Sequence, residues 1–155
     1  MNFEGYRHPW RALTVKQPWA WLITSGPKDV ENRHWIRGPD WRLPFFIHAS
    51  KSLDEHAIAH FALAEDAREV YGLACRLPRK FRMGGIVGMA TLADVLMPSG
   101  SPPQSLWGEE DAVQLVLKDR RKLPFVRCKG SLGFWPVPPE ILKKFGVNPL
   151  GPEEG

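Results

Sequence analysis

The stretch Gly26–Arg33, with the sequence GPKDVENR, brings charged side chains together directly after a glycine and a proline. Gly26 is suited to end the helix that Pro18 opens, since glycine is common just past a helix and proline is tolerated in its first turn. The residues after Lys28 are expected to be extended, which points Glu31 and Arg33 to the same face of a strand. Two cations beside one carboxylate keep that carboxylate ionised. From the spacing alone, this pattern is typical of a surface ion-pair cluster that closes a turn.

Periodicity and turn residues outside this stretch predict an α+β domain with about six strands and two to three helices. Ser52 is expected to cap the second helix by accepting a hydrogen bond from the amide of Glu55, which then runs to about residues 71–72. A charged turn is expected at residues 119–122. In the second half, strands follow one another with short turns, which excludes parallel pairing there. The expected strands cover residues 13–16, 29–35, 45–49, 85–95, 112–117, 125–127 and 132–135, and a third helix covers residues 139–145.

Length and composition favour one soluble domain with a core of useful size, because the chain has 155 residues and 43% of them are hydrophobic. The expected organisation is an N-terminal arm over residues 1–12, a domain over residues 13–146 and a C-terminal tail over residues 147–155. Lys and Arg total 21 against 17 Asp and Glu, a net charge of +4 that is compatible with a polyanionic partner. Without an apolar run or signal peptide, a cytoplasmic protein that does not bind membranes is expected.

Several separate segments resemble the ASCH domain family, in the order in which that family has them. The spacing Gly26-x-Lys28-x-x-Glu31-x-Arg33 is similar to the family signature G-x-K-x-x-E-x-R. The closing segment, residues 124–135, resembles the branch related to the eukaryotic endothelial-overexpressed members. The resemblance covers roughly residues 13–135, and its remaining segments are residues 13–20, 37–38, 47–51 and 85–88.

This resemblance implies a small PUA-like β-barrel with helices packed on it and a cleft, lined by the signature residues, that receives RNA or a modified nucleotide. It also implies an alternative, since some bacterial members are amidohydrolases of N4-acetylated cytidine and others are described as ribonucleases. In that alternative Lys28 and Glu31 are the catalytic residues. The amidohydrolase branch has a threonine three positions after the lysine, where this chain has Glu31, and this departure counts against hydrolysis. A protein-interaction surface formed by the tryptophans is a third possibility.

The residue types of the predicted cleft suit a nucleotide-like small ligand or RNA. Lysine and arginine neutralise phosphate, and arginine adds a two-pronged donor. Tryptophan, including Trp35, offers a surface for stacking a base, which is worth about 1–3 kcal/mol. Glu31 can accept a hydrogen bond from an exocyclic amine. The candidate ligand-binding residues are Lys16, Trp19, Gly26, Lys28, Glu31, Arg33, His48, Ser50, Lys51, Trp107, Lys129 and Trp135.

No metal and no cofactor is expected. His56 and His60 have the spacing of a zinc pair, but Ala57 stands where a metalloprotease has its glutamate. Residues 129–133 resemble a phosphate loop only superficially, because a strand rather than a helix is expected after them. The roles of Trp10 and Trp41 and the oligomeric state are left open by the sequence.

Overall fold

The structure, a computed structural model, describes residues 9–34, 41–63, 77–147 and 151. The predicted helix end near residues 71–72 and the stacking candidate Trp35 lie outside these residues. The elements are β1 (Arg11–Gln17), α1 (Trp19–Ser25), β2 (Val30–Arg33), β3 (Pro44–Leu53), α2 (Glu55–Leu63), β4 (Gly85–Leu96), β5 (Val113–Arg127), β6 (Phe134–Pro136) and α3 (Pro139–Phe145).

The strands form one six-stranded sheet in the order β2-β5-β4-β3-β1-β6. Strands β1 and β3 are parallel, and every other neighbouring pair is antiparallel. In the part of the chain that the structure describes, the predicted α+β class, the six or so strands and the two to three helices are confirmed. The sheet is open, however, and not the closed barrel that was expected. Its two edge strands, β2 and β6, are only four and three residues long and each pairs on one side, so they do not meet.

Both faces of the sheet are covered by apolar side chains. On one face, Ala20 and Ile23 of α1 pack into a core with Leu13, Phe45 and Leu115. On the other face, α3 packs against β1, β3 and β4 through a second cluster. Its members include Trp10, Ala12, Phe46, Ile86, Trp135, Ile141 and Leu142. Because successive side chains of a strand point to opposite faces, β1 contributes to both clusters and is central to the fold.

Residues just before Leu13 take part in the sheet and its core. Strand β1 begins at Arg11, and Trp10 before it is buried with its ring 5.2 Å from that of Phe46. Residues 10–12 therefore pack with the sheet. Trp41 is also structural, since its ring lies edge-on to Phe134 at 4.9 Å.

Strand β5 is much longer than predicted, because it continues through the residues expected to form a charged turn at 119–122. Asp119 has a φ of 49°, a left-handed conformation that aspartate tolerates better than most residues. The register with β4 shifts beside it, between Met89 and Thr91, as in a β-bulge. The run of charged residues predicted a turn at 119–122, whereas β5 bends there and stays paired with β4.

Gly26 ends α1 as predicted, but for a different reason. Its φ of −122° is extended, so access to the left-handed region is not what favours glycine here. A Cβ at this position would lie 3.0 Å from the backbone of Leu22, whose carbonyl accepts hydrogen bonds from the amides of Gly26 and Lys28. Close approach of the backbone is therefore what requires glycine here.

Helix α2 is capped by Asp54 and not by Ser52, which lies within β3. The Oδ1 atom of Asp54 accepts a hydrogen bond of 3.0 Å from the amide of Ala57, and Oδ2 accepts one of 2.9 Å from Nε1 of Trp19. The capping-box assignment is therefore wrong by two residues, since β3 extends further than its sequence suggests. These hydrogen bonds hold the pKa of Asp54 below its usual value.

We expect Asp54→Ala to lower the free energy of unfolding by about 1 kcal/mol, as loss of a helix cap usually does. The lowered pKa of Asp54 stabilises the protein above the unfolded-state pKa, near pH 4, and this contribution is lost as pH falls through the folded-state value. Urea unfolding at pH 7 and pH 3 measures both effects. Asp54→Asn, which keeps the cap without the charge, is the control, and equal acid sensitivity in Asp54→Asn and wild type would contradict this assignment.

Candidate functional site

A cleft of about 640 Å³ opens where β1, β2 and β3 meet the segment before β6. Eight of its ten described lining residues have charged or polar side chains, and the exposed Lys16 and the half-buried Arg33 supply cations. The exposed Leu132 lies at its rim. The lining residues are Thr14, Lys16, Glu31, Asn32, Arg33, His34, Ser50, Ser131, Leu132 and Gly133.

Glu31 is the central charged group of this site. One carboxylate oxygen lies 2.9 Å from Nη2 of Arg33, on the same face of β2 as predicted, and the other lies 3.9 Å from Nζ of Lys28. The Arg33 guanidinium also donates a hydrogen bond of 2.8 Å to the carbonyl of Thr14 in β1. Since the Glu31 side chain is only 10% exposed, the arrangement is a largely buried triad and not the surface cluster that spacing alone indicated.

Lys28 is buried, and its ammonium lies between two indole rings. Its Nζ is 4.9 Å from the ring centre of Trp19 and 5.7 Å from that of Trp107, both within the range of cation–π attraction. Burial lowers the pKa of Lys28, and the neighbouring carboxylates of Glu31, Glu109 and Asp29 partly oppose this effect. We call Lys28, Trp19 and Trp107 the lysine cage.

The loop that carries Trp107 is held by the two residues that flank the signature positions. The Asn32 amide donates to the carbonyl of Trp107 over 2.8 Å and accepts from the amide of Glu109 over 2.9 Å. Asp29 accepts a hydrogen bond from the hydroxyl of Ser105. Asp29 and Asn32 therefore fix one wall of the lysine cage, a role that the sequence signature does not reveal.

Arg120 is a further residue that sequence reasoning missed. Its guanidinium donates hydrogen bonds of 2.9 Å to the carbonyl of Ile23 and of 2.8 Å to that of Gly26. Two carbonyls at the end of α1 thereby have hydrogen-bond partners. Burial lowers its pKa. Gly26 thus contributes a carbonyl to helix capping and does not line the cleft.

His48 lies beneath the cleft in a chain of hydrogen bonds. Its Nε2–H donates to the carbonyl of Cys128 over 2.7 Å, since a carbonyl can only accept. Trp135 donates through Nε1 to the hydroxyl of Thr14 over 3.0 Å, which leaves that hydroxyl to donate to Nδ1 of His48 over 3.3 Å. A Cβ on Gly130 would lie 2.6 Å from the Thr14 hydroxyl and 2.7 Å from the His48 ring. These contacts fit a neutral histidine, and burial lowers the pKa of His48 accordingly.

We expect the stability of the protein to fall as pH decreases below about 6.5, the usual histidine pKa. With its pKa lowered in the fold, His48 stays neutral while the unfolded chain takes up a proton, so acid favours unfolding until pH passes the folded-state value. Urea unfolding between pH 7.5 and 5 should show a shallower slope in His48→Gln than in wild type. His56→Gln, at an exposed position of α2, should keep the wild-type slope. Identical slopes in all three proteins would refute this assignment.

The predicted site residues separate into four groups. Lys16, Glu31, Arg33 and Ser50 line the cleft. Lys28, Trp19 and Trp107 form the lysine cage beside it, and His48 and Trp135 are buried beneath it. Gly26, Lys51 and Lys129 are not among its lining residues. The expectation of a tryptophan-lined cleft is therefore revised, because Trp107 and Trp135 are buried and Trp19 is hydrogen-bonded to Asp54.

Two further properties of the described residues concern metal binding and membrane insertion. Within residues 9–34, 41–63, 77–147 and 151, no three His, Cys, Asp or Glu side chains converge as metal ligands would, and His56 and His60 are exposed on α2. In the same part of the chain, none of the helices has both the length and the apolar character that crossing a bilayer requires.

Solved structures provide the comparison with known proteins. The chain is similar to the ASCH protein of Zymomonas mobilis, with a TM-score of 0.54, 13% sequence identity and coverage of 89% of this chain and 94% of that one. A single-residue variant of the same protein gives a TM-score of 0.53 at 14% identity, over 90% and 97% of the two chains. No protein-family model matches the chain, and no curated protein matches it significantly. At this identity the likeness shows the fold alone, an α+β fold of the kind predicted from the sequence.

Proposed function

We propose that the cleft binds single-stranded RNA or a modified nucleotide, with phosphate at Lys16 and Arg33 and the base near Glu31. The observation that carries this proposal is the position of Glu31 and Arg33, paired at 2.9 Å in the wall of a cleft of about 640 Å³. Such a volume falls within the range of small-molecule sites. Arg33 supplies a cation and Glu31 an acceptor, the two groups needed for phosphate and for an exocyclic amine. The ASCH-like fold supports this function by analogy.

The ligand contacts differ from those expected on sequence grounds. Stacking on Trp107 or Trp135 is not part of the proposal, because both are buried. The exposed Leu132 at the rim offers an apolar surface for a base instead. Assignment to the branch of the eukaryotic endothelial-overexpressed members belongs to the same proposal and rests on the sequence resemblance. A cytoplasmic location is proposed on a different ground, the lack of a long apolar run in the sequence.

A second candidate function, hydrolysis of an N4-acylated cytidine, is favoured by one observation. General-base catalysis by lysine requires a lowered pKa, and burial lowers the pKa of Lys28 beside Glu31. The lysine cage is evidence against hydrolysis, because Trp19 and Trp107 flank the ammonium group that would have to reach the substrate. A chromatographic assay on N4-acetylcytidine with wild type and Lys28→Ala separates the two functions. Turnover that depends on Lys28 would make hydrolysis the primary function.

The binding function is tested by fluorescence anisotropy of a labelled single-stranded RNA octamer across a salt series. Affinity should fall steeply with salt, and Lys16→Ala should reduce the slope of log K against log salt by about one, as loss of one phosphate contact does. Lys144→Ala, at another exposed lysine, on α3, is the matched control and should behave as wild type. Equal salt slopes of the binding constant for Lys16→Ala and Lys144→Ala would show that the RNA phosphates do not contact the cleft.

A further inference from the structure

A second pocket of about 630 Å³ lies where the end of α1 meets β5 and the basic segment at residues 78–82. It is distinct from the cleft, since the two share no lining residue. Its chemistry comes from three aromatic and three cationic side chains, and we call it the aromatic–basic pocket. These side chains are Trp21, Phe81, Phe125, Lys80, Arg82 and Lys122.

The walls of the aromatic–basic pocket are fixed by buried contacts. The Gln17 side chain is 2% exposed and joins two walls, because it donates to the carbonyl of Arg82 over 3.0 Å and accepts from the amide of Trp21 over 2.8 Å. Gly85 allows the Phe125 ring to lie against β4, since a Cβ there would be 2.6 Å from that ring. Because the amide nitrogen and the amide oxygen of the buried Gln17 side chain both have hydrogen-bond partners, Gln17 holds the two walls in fixed positions. The shape of the pocket is therefore set by the fold.

The charge of this pocket has a single sign. Lys80, Arg82 and Lys122 are exposed, and no carboxylate occurs among its lining residues in the described part of the chain. The cleft, by contrast, contains Glu31. A concave surface that carries cations alone attracts an anion, and phosphate is the anion that lysine and arginine bind together most readily.

The aromatic side chains are placed to stack on a planar group. Trp21 and Phe81 are half-buried, and neither pairs with another ring among the described residues. Phe125 has the Arg82 guanidinium 5.3 Å and the Arg127 guanidinium 5.9 Å from its ring centre. Half-exposed rings beside cations are the combination with which proteins bind the bases and phosphates of nucleotides.

We propose that the aromatic–basic pocket is a second nucleotide site, with the base against Trp21 and Phe81 and the phosphate on Lys80, Arg82 and Lys122. This site does not depend on the function proposed for the cleft. Lys16 lines the cleft and its neighbour Gln17 lines the pocket, so the end of β1 lies between the two sites. The nucleotide comes either from an RNA strand or from the free mononucleotide pool, and both sources present the same chemistry.

Nitrogen-15 NMR of the full chain tests this site with three probes: inorganic phosphate, adenosine 5′-monophosphate and a single-stranded RNA octamer. The indole N–H signal of Trp21, assigned with Trp21→Phe, reports on stacking. We expect the mononucleotide to shift this signal, and the double variant Lys80→Glu, Lys122→Glu to weaken its binding at least about tenfold. The double variant Lys143→Glu, Lys144→Glu, with the same charge change on exposed residues of α3, should bind as wild type.

The three probes distinguish the outcomes. A shift of the Trp21 signal with both mononucleotide and octamer supports a site for a free nucleotide, and a shift with the octamer alone supports a site for an RNA strand. The Trp21 shift should persist in Arg33→Met, which separates this site from the cleft. No Trp21 shift with either nucleotide, or shifts with phosphate alone, would overturn the proposal. Equal weakening by the two double variants would also overturn it, because net charge would then explain the binding.

Discussion

Glu31→Gln is expected to lower the free energy of unfolding by about 3 kcal/mol, the lower end of the range for breaking a buried ion pair. The variant leaves two cations, Lys28 and Arg33, without the carboxylate that now lies 3.9 Å and 2.9 Å from them. An uncompensated charge in the interior is far more costly than the loss of a hydrogen bond. Urea unfolding at pH 7 measures the effect.

The control for this prediction is an ion pair of the same kind on the surface. Asp94 lies 3.6 Å from Arg42, and its side chain is 56% exposed. Asp94→Asn should therefore change stability by no more than about 1 kcal/mol, as exposed pairs do. If Glu31→Gln lowers the free energy of unfolding by as little as Asp94→Asn does, the ion pairs of Glu31 do not stabilise the site.

Lys28→Met is expected to lower stability much less than Glu31→Gln does, because Arg33 still lies 2.9 Å from Glu31, and to weaken RNA binding by about tenfold or more. Burial lowers the pKa of Lys28, which means that the fold disfavours its charge, so an apolar side chain of similar length between Trp19 and Trp107 relieves that penalty. Removal of the ammonium also leaves Glu31 less compensated, so the cleft repels phosphate more strongly. Calorimetry and anisotropy measure the two effects separately.

Trp107→Leu is the control for Lys28→Met. It removes one wall of the lysine cage but leaves the ammonium and Glu31 in place, so we expect it to lower stability and change affinity less than Lys28→Met does. A large loss of stability in Lys28→Met with unchanged affinity would show that Lys28 is a structural residue and would contradict its assignment to the site.

The sequence predicts those features of the fold that a local pattern determines. The period of two along an extended chain placed Glu31 and Arg33 on one face, and the structure pairs them. The order of strands and turns indicated an α+β domain of about six strands, which the sheet confirms. The burial of Lys28 and Glu31 could not be predicted from such a local pattern, because it depends on side chains that distant elements contribute.

The other differences between the predicted and the observed structure also arise from contacts between distant parts of the chain. Trp107 reaches Lys28 because Asn32 and Asp29 bind its loop, and no spacing rule connects residues so far apart in the chain. Asp54 replaces Ser52 as the helix cap because the sheet extends β3 to Leu53. In both cases a tertiary contact overrides a local preference. The limits of the domain at residues 13 and 146 stay a prediction.

The most direct test of the central claim is a chemical-shift map of the single-stranded RNA octamer on the full chain, observed through backbone amides. We expect the shifts to be concentrated at residues of the cleft wall, namely Thr14, Lys16, Glu31, Arg33 and Ser50. A separate set at Trp21 and Phe81 would report on the second site. Shifts that avoid the cleft wall, or no shifts at millimolar octamer, would contradict the claim that this cleft binds nucleic acid.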